Sequence, residues 1–428
     1  MSFKPTNYRL MDVATGRVFA DEGWTLSDPQ APSPSLVRAE YEQREFHPRE
    51  NLDGLYRYAD WLPVRRTLSR SSAPATYKSE GLAELLGMSN LYITFSGFAP
   101  SLGVAMETCS FKETEAFSVC GRWPYDNSRI LVVQSAGNTA RAFARVCSDN
   151  NIPVVISIPA DNCHDLWFVR PLKNCVKVIA APEGSDYYDA IALGEKLGRS
   201  PRYCLEGGAR NIARRDGMAT TVLSAVEKIG RIPDAYFQAV GSGTGAIAAW
   251  EAVQRLKKDG RFGSHDMKIF TCQNSPFTIL YDSWKAGSRD LLPFAAEESR
   301  RRSEAILAKV LSNRKPPYGI AGGLYDAMRQ TGGDMFKVSN DELIVWMLRF
   351  FQSEGIDIFP AAACAVASLA KALEEGKVGK NDTVMLNITG GGMLEATRKG
   401  FTVKKPDLVL SPNLPEEEII AAVDNLFG

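Results

Sequence analysis

From Asn90 onward the chain keeps one rhythm, in which short runs rich in aliphatic and β-branched residues alternate with longer stretches whose apolar residues recur at helical spacing. The runs are Leu91 to Phe95, Arg129 to Gln134, Pro153 to Pro159, Cys175 to Ala180, Arg202 to Leu205, Ala235 to Val240, Met267 to Cys272 and Thr383 to Ile388. Helical stretches open at Lys112, span Gly137 to Asp149 and Gly217 to Ile229, and are expected after the runs ending at Pro159 and Ala180. This alternation predicts βαβ units, and therefore an α/β fold of mainly parallel sheets covered on both faces. Ligands of such sheets collect beyond the carboxyl ends of the strands, so functional residues belong where a run stops and a helix starts.

At 428 residues the chain exceeds the ~250–300 that one core usually fills, so two domains are expected. Residues 1–50 read as an irregular appendage, with short strands at Tyr8 to Asp12 and Gly16 to Ala20 and a proline-rich segment from Asp28 to Pro34. Gly54 to Val64 reads as a short helix packed on the main body and stopped by Pro63. Ser283 to Asp341 is polar and irregular, a helix plus loops in which Arg300-Arg301-Arg302 forms a solvated helix face.

Composition narrows the function classes. Lys+Arg and Asp+Glu are equal at 50 each, so no global field recruits nucleic acid or an anionic membrane. No run approaches the ~18 apolar residues of a membrane span, the start carries no apolar leader, and a cytoplasmic protein is expected. The 8 cysteines form no C-x-x-C pair, which argues against structural zinc and a disulfide framework. None of the 3 histidines (His47, His164, His265) stands beside a plausible catalytic partner, so chemistry through a carbonyl cofactor becomes more attractive.

Four stretches lie where the alternation places functional residues. Ser110-Phe111-Lys112 opens a helix; a lysine amine acts as nucleophile or base where its surroundings lower its pKa or where it is condensed with a carbonyl. Read alone, Lys112 is a solvated charge like most lysines. Ser135-Ala136-Gly137-Asn138-Thr139-Ala140-Arg141 follows Gln134. Its backbone N–H groups and the Asn138 amide can donate to an oxygen anion, or Asn138 can simply cap the helix. Gly241-Ser242-Gly243-Thr244-Gly245 follows Val240 and opens another helix, where close-lying backbone amides can cradle a phosphate. The pattern nearly matches a dinucleotide fingerprint, but the next run leads into Cys272-Gln273-Asn274 with no carboxylate to hold a ribose, so a compact monophosphate fits better. Thr389-Gly390-Gly391-Gly392 ends the last run. There the backbone can lie against a flat ring while the Thr389 hydroxyl bonds a ring nitrogen, although alone the motif is a strand-end turn.

A lysine, an asparagine loop, a glycine cup and a hydroxyl at a strand end together meet the needs of pyridoxal 5'-phosphate. In this order they resemble the fold-type II pyridoxal-phosphate enzymes and most closely the threonine synthase branch, from Gly54-Leu55-Tyr56-Arg57-Tyr58 to Thr389. The resemblance implies a tryptophan synthase β-like fold of two doubly wound domains with the cofactor in the cleft between them. Residues 1–75 would be an N-terminal segment, 76–115 and 204–410 the large domain, 116–203 the small domain and 411–428 a C-terminal helix. It implies Lys112 as the Schiff-base lysine, Asn138 as donor to the ring hydroxyl, Gly241, Ser242, Gly243, Thr244 and Gly245 as the phosphate cup, and Thr389 facing the pyridine nitrogen. Ser135, Gly137, Thr139 and Arg141 would contact substrate, and no metal is involved.

Threonine synthases usually follow the lysine with Asp-Arg and end the last strand Thr-Gly-His-Gly; this chain has Glu113-Thr114-Glu115 and Thr389-Gly390-Gly391-Gly392, and no cysteine in Asp12-Val13-Ala14-Thr15-Gly16. With Met106-Glu107-Thr108-Cys109 before Ser110, the pattern is similar to the cysteate synthases, the paralogous branch that makes L-cysteate from O-phospho-L-serine and sulfite on the route to coenzyme M. A homo-oligomer is expected. The alternatives are a threonine synthase acting on O-phospho-L-homoserine and a non-catalytic nucleotide-binding protein that uses the Gly241 loop.

Overall fold

A computed structural model describes residues 3–124, 128–135 and 137–428. In chain order its principal strands are β1 (Tyr8–Asp12), β2 (Val18–Phe19), β3 (Val37–Tyr41), β4 (Ala75–Lys78), β5 (Leu91–Phe95), β6 (Ile130–Gln134), β7 (Val154–Pro159), β8 (Val176–Ala181), β9 (Tyr203–Leu205), β10 (Ala235–Ala239), β11 (Lys268–Asn274), β12 (Asp334–Val338), β13 (Val384–Ile388) and β14 (Leu408–Val409). The helices that position the site are α1 (Lys112–Arg122), α2 (Asn138–Asn150), α3 (Tyr187–Leu197), α4 (Ile212–Ile229), α5 (Thr244–Asp259), α6 (Asn340–Glu354), α7 (Pro360–Glu374) and α8 (Glu416–Asp424).

Two sheets carry the fold. The larger has six strands in the order β12-β11-β10-β13-β5-β4, parallel except for β4 against β5. The smaller has five parallel strands in the order β9-β6-β7-β8-β14. Nearly every residue of the central strands is buried, because helices cover both faces and leave no polar side to alternate with.

On the larger sheet, Val222, Val226, Ile247 and Val253 of α4 and α5 pack over Ile269 and Met385. Ala362, Val366 and Leu369 of α7 pack over Phe237 and Leu386 on the other face. The smaller sheet is enclosed the same way, by Phe117 and Phe143 of α1 and α2 on one face and by Leu193 and Ile419 of α3 and α8 on the other. Residues near the C-terminus thus return to the smaller sheet, where β14 pairs with β8. Among the described residues no helix is long and apolar enough to cross a membrane.

Three features depart from the sequence reading. Val37-Arg38-Ala39-Glu40-Tyr41, with its alternating burial, forms a third N-terminal strand, and Leu10, Val37 and Tyr41 join the same buried cluster as α4 and α5. The N-terminal segment is therefore built into the large-sheet core, where Arg38 and Arg215 both pair with Glu251. In the stretch read as loops, Asp334–Val338 adds an edge strand to β11; its mixed polar pattern suits an edge with one side uncovered. The helix expected after β7 is a short 3₁₀ turn at Ala160–Asp165, since Pro159 and Pro171 and the turn-formers between them leave no uninterrupted helical run.

The close approach of α1 and α4 matters for the site. A Cβ on Gly217 would lie 2.3 Å from the Thr114 carbonyl oxygen and 2.8 Å from Ser118 Cβ, so the two backbones touch at this point. Gly217→Ala is expected to lower stability by about 1–3 kcal/mol through overpacking, seen as a reduced urea midpoint with an unchanged slope.

Candidate active site

Lys112 is the first residue of α1, and the turn before it is fastened to the end of β13. Ser110 and Gly390 form an antiparallel bridge, the Phe111 N–H donates to the Thr389 carbonyl at 3.0 Å, and the Gly391 N–H donates to the Cys109 carbonyl at 3.0 Å. Glycine is required here. A Cβ on Gly390 would lie 2.7 Å from the Cys109 carbonyl oxygen, and one on Gly391 would lie 2.2 Å from that of Asp357. Cys109 takes φ 56°, a left-handed conformation uncommon for a side-chain-bearing residue, which the bridge holds in place.

Two buried ionisable side chains hold the preceding residue. Glu113 accepts from the Thr108 N–H at 2.6 Å and from the Thr108 hydroxyl at 2.8 Å. Arg141 donates to the Thr108 carbonyl at 3.1 and 3.3 Å, to the Asp165 carbonyl at 2.9 Å and to Asn138 Oδ1 at 2.6 Å, and it lies over the Trp167 ring. Burial pushes the Glu113 carboxyl up to about 7 and the Arg141 guanidinium down to about 10.

The Lys112 amine points inward. Its Nζ lies 3.2 Å from Glu115 Oε2 and 4.7 Å from the centre of the Phe111 ring. Burial lowers its pKa, and the Glu115 carboxylate opposes that shift. Glu115, fully buried, accepts through Oε1 from the Thr139 hydroxyl at 2.8 Å, and Arg214 stands 3.5 Å from the same oxygen. Arg214 in turn is held in two-point contact by Glu206.

At the carboxyl end of β10 the chain turns through Gly241, Ser242 and Gly243 into α5. Gly243 has φ +76°, and a Cβ there would lie 2.8 Å from Leu324 Cδ2. The Ser242 and Thr244 hydroxyls bond each other at 2.8 Å, and the first turn of α5 presents N–H groups that no helix carbonyl can reach. Beneath this turn Asn387 donates to the Tyr236 hydroxyl at 2.8 Å, while its own Oδ1 is buried with no hydrogen-bond partner among the described residues.

The stretches close into a circuit. A Cβ on Gly137 would lie 3.6 Å from Val310 Cγ1, and one on Gly241 would lie 2.8 Å from the Val310 carbonyl oxygen, so one crossing segment touches both the asparagine loop and the glycine turn. From that turn, β10 pairs with β13, whose continuation at Thr389 bonds Phe111, and Lys112 reaches back through Glu115 to Thr139. Ser135 Oγ accepts from the Gly137 N–H at 3.3 Å. The Asn138 oxygen is taken by Arg141, which leaves its amide nitrogen as a donor. Four of the five N–H donors of Arg141 go to the Thr108 and Asp165 carbonyls and to Asn138, and the Thr139 hydroxyl donates to Glu115. Ala136 lies outside the described residues.

Sequence reasoning did not single out Glu115, Arg214 or Glu206. Only the i, i+3 spacing of Lys112 and Glu115 was a signal, and it is common on solvated helix faces. Among the described residues no cluster of His, Cys, Asp or Glu could hold a metal ion.

Residues 76–390 match the family model described as pyridoxal-phosphate dependent enzyme. A cysteate synthase of Methanocella paludicola is 48% identical over 393 residues, covering 91% of each chain. A cysteate synthase of Methanosarcina acetivorans is 45% identical over 389 residues, covering 90% of this chain and 93% of its own. Among solved structures, maize serine racemase gives a TM-score of 0.57 at 15% identity, covering 76% of this chain and 92% of that one. The processed form of threonine deaminase isoform 2 from Solanum lycopersicum gives 0.54 at 17%, covering 76% and 87%. At these identities the structural likenesses speak for the fold alone.

The Glu113 shift has a sign. In the folded chain its carboxyl keeps a proton up to about pH 7, whereas unfolded it releases that proton near 4.5. The folded state therefore binds more protons in this window, and stability is expected to fall as pH rises from about 5 to 7, by roughly 1–3 kcal/mol. Urea melts across that range should show the decline in the wild type and a flatter profile in Glu113→Gln.

Proposed function

The chain belongs to the pyridoxal-phosphate dependent enzymes and, within them, to the cysteate synthases, and from that premise we propose that it exchanges the phosphate of O-phospho-L-serine for sulfite to give L-cysteate. The observation that carries this reading is the closed circuit of contacts around one largely enclosed lysine amine. The residues present suit the cofactor. The glycine turn packs too tightly for a side chain at Gly241, Gly243 or Gly245, and the amides at the start of α5 offer a monophosphate a cradle of donors.

In this reading Gly241, Ser242, Gly243, Thr244 and Gly245 hold the cofactor phosphate, Asn138 donates through its free amide N–H to the ring oxygen, and the Thr389 hydroxyl meets the ring nitrogen without charging it. Bound pyridoxal phosphate supplies the electron sink that lets an α proton and a β substituent leave an amino acid. Lys112 holds the cofactor covalently, takes the α proton of the substrate when freed, and returns it at the end. The Cβ–O electrons depart with phosphate, a sulfur lone pair of sulfite forms the new C–S bond, and one phosphate is released per cysteate.

Burial around Lys112 favours the neutral amine that both tasks need. Ser135, Gly137 and Thr139 border the substrate side, and we assign Arg141 to holding the Thr108 turn. We place the reaction in the cytoplasm and expect a homo-oligomer. The threonine synthase reading is not favoured, since relatives at 48% and 45% identity are cysteate synthases.

Incubation with O-phospho-L-serine and sulfite is expected to yield cysteate and phosphate in equal amounts; threonine formed from O-phospho-L-homoserine, with no cysteate from the first pair, would overturn the proposal. Lys112→Ala is expected to abolish the visible absorbance of attached cofactor and to lower turnover by about a thousandfold or more. Thr389→Asp, by placing a charge at the ring nitrogen, is expected to divert flux into side products, measured by product partitioning.

A further inference from the structure

The Glu113-Thr114-Glu115 sequence that replaces the usual Asp-Arg after the lysine has one member that touches the amine. We propose that Glu115 is the positioning residue of Lys112, fixing its amine toward the Asn138 helix and keeping a counter-charge beside it; this rests on the reading of Lys112 as the cofactor lysine. The geometry is specific. One carboxylate oxygen faces Nζ at 3.2 Å, while the other is held by Thr139, the residue after Asn138, at 2.8 Å. Glu115 is wholly inaccessible, so the contact is not screened as an exposed i, i+3 pair would be.

The charged groups facing the pair come from four elements. Lys112 and Glu115 lie on α1, Arg214 on α4 stands 3.5 Å from Glu115, Glu206 follows β9 and clasps Arg214, and Tyr187 opens α3 with its hydroxyl donating to the Gln134 carbonyl at 3.2 Å. Two cations and two carboxylates balance, and the arrangement leaves Glu115 as the anion next to the amine. Removing its charge leaves Lys112 facing Arg214, with the more distant Glu206 as the remaining carboxylate, which drives the amine further toward its neutral form.

Two roles follow. When Lys112 is free, Glu115 accepts a hydrogen bond from the amine and holds its swing toward the Asn138 loop. When the amine has taken a proton, the carboxylate stabilises the resulting ammonium in a place where water is scarce.

The test is the pH dependence of Lys112 modification by an amine-reactive acetylating reagent in cofactor-free protein, followed by peptide mass spectrometry. Glu115→Gln is expected to move the midpoint down by about one pH unit or more, a tenfold gain in neutral amine at fixed pH. Glu115→Asp, which keeps the charge on a shorter arm, is expected to return most of that shift while slowing cofactor attachment. A Glu115→Gln midpoint equal to wild type, or a Glu115→Asp midpoint as low as that of Glu115→Gln, overturns the proposal. Borohydride reduction of wild-type protein loaded with pyridoxal phosphate tests the underlying reading separately: label on Lys112 supports it, and label on another lysine overturns it whatever the midpoints show.

Discussion

The joint on which the site depends is the short main-chain bridge between Ser110 and Gly390. Parallel strands deliver their carboxyl ends to one edge of a sheet, but they do not place a lysine there; that takes a second segment running back against the strand end. Here the returning segment donates through Phe111 to Thr389, accepts through Cys109 from Gly391, and then starts α1 with Lys112. Because β13 lies between β10 and β5, the lysine is referenced to the interior of the larger sheet and not to an edge. Side chains are excluded at Gly390 and Gly391 for the same reason that the bridge forms at all, namely that backbone meets backbone.

Around this joint the chain spends buried charge. Glu113 and Arg141 both grip Thr108, one through its N–H and hydroxyl and the other through its carbonyl, so the residue ahead of the strained Cys109 cannot relax. Burying a guanidinium costs several kcal/mol unless its bonding capacity is met, which explains why Arg141 donates to carbonyl and amide oxygens. The same rule shapes the Lys112, Glu115, Arg214 and Glu206 network, in which each carboxylate meets at least one cation.

The parallel α/β layout was legible because it leaves local marks, aliphatic runs at regular intervals, and the Lys112, Asn138, Gly241 and Thr389 stretches stood out as candidates by their place where a strand hands over to a helix or a turn. What escaped notice lacked such marks. Val37 to Tyr41 alternates in the way an edge strand should, but it follows a proline-rich segment and contributes only three buried residues of its own. Asp334–Val338 carries a lysine and an aspartate and pairs on one side only. Glu115, Arg214 and Glu206 lie on separate elements and become neighbours only when α1 and α4 pack at Gly217 and β9 joins β6, so nothing at any one of them in sequence announces the others.

The balance of those charges bears on how anionic reactants are held. In the proposed reading the cofactor occupies the Lys112 amine, the network then retains the carboxylates of Glu115 and Glu206 against the single guanidinium of Arg214, and both proposed reactants carry negative charge. Arg141 already spends four of its five N–H donors on Thr108, Asp165 and Asn138. The α5 amides and the Asn138 amide serve the cofactor in that reading, so attraction for the reactants falls largely to fixed dipoles, the N–H groups at the start of α2, which cost no desolvation of a mobile cation. Such a site discriminates by position more than by net charge, because a backbone N–H rewards an oxygen only at hydrogen-bond distance. That suits a replacement in which one oxyanion must leave the β carbon before another arrives at the same place.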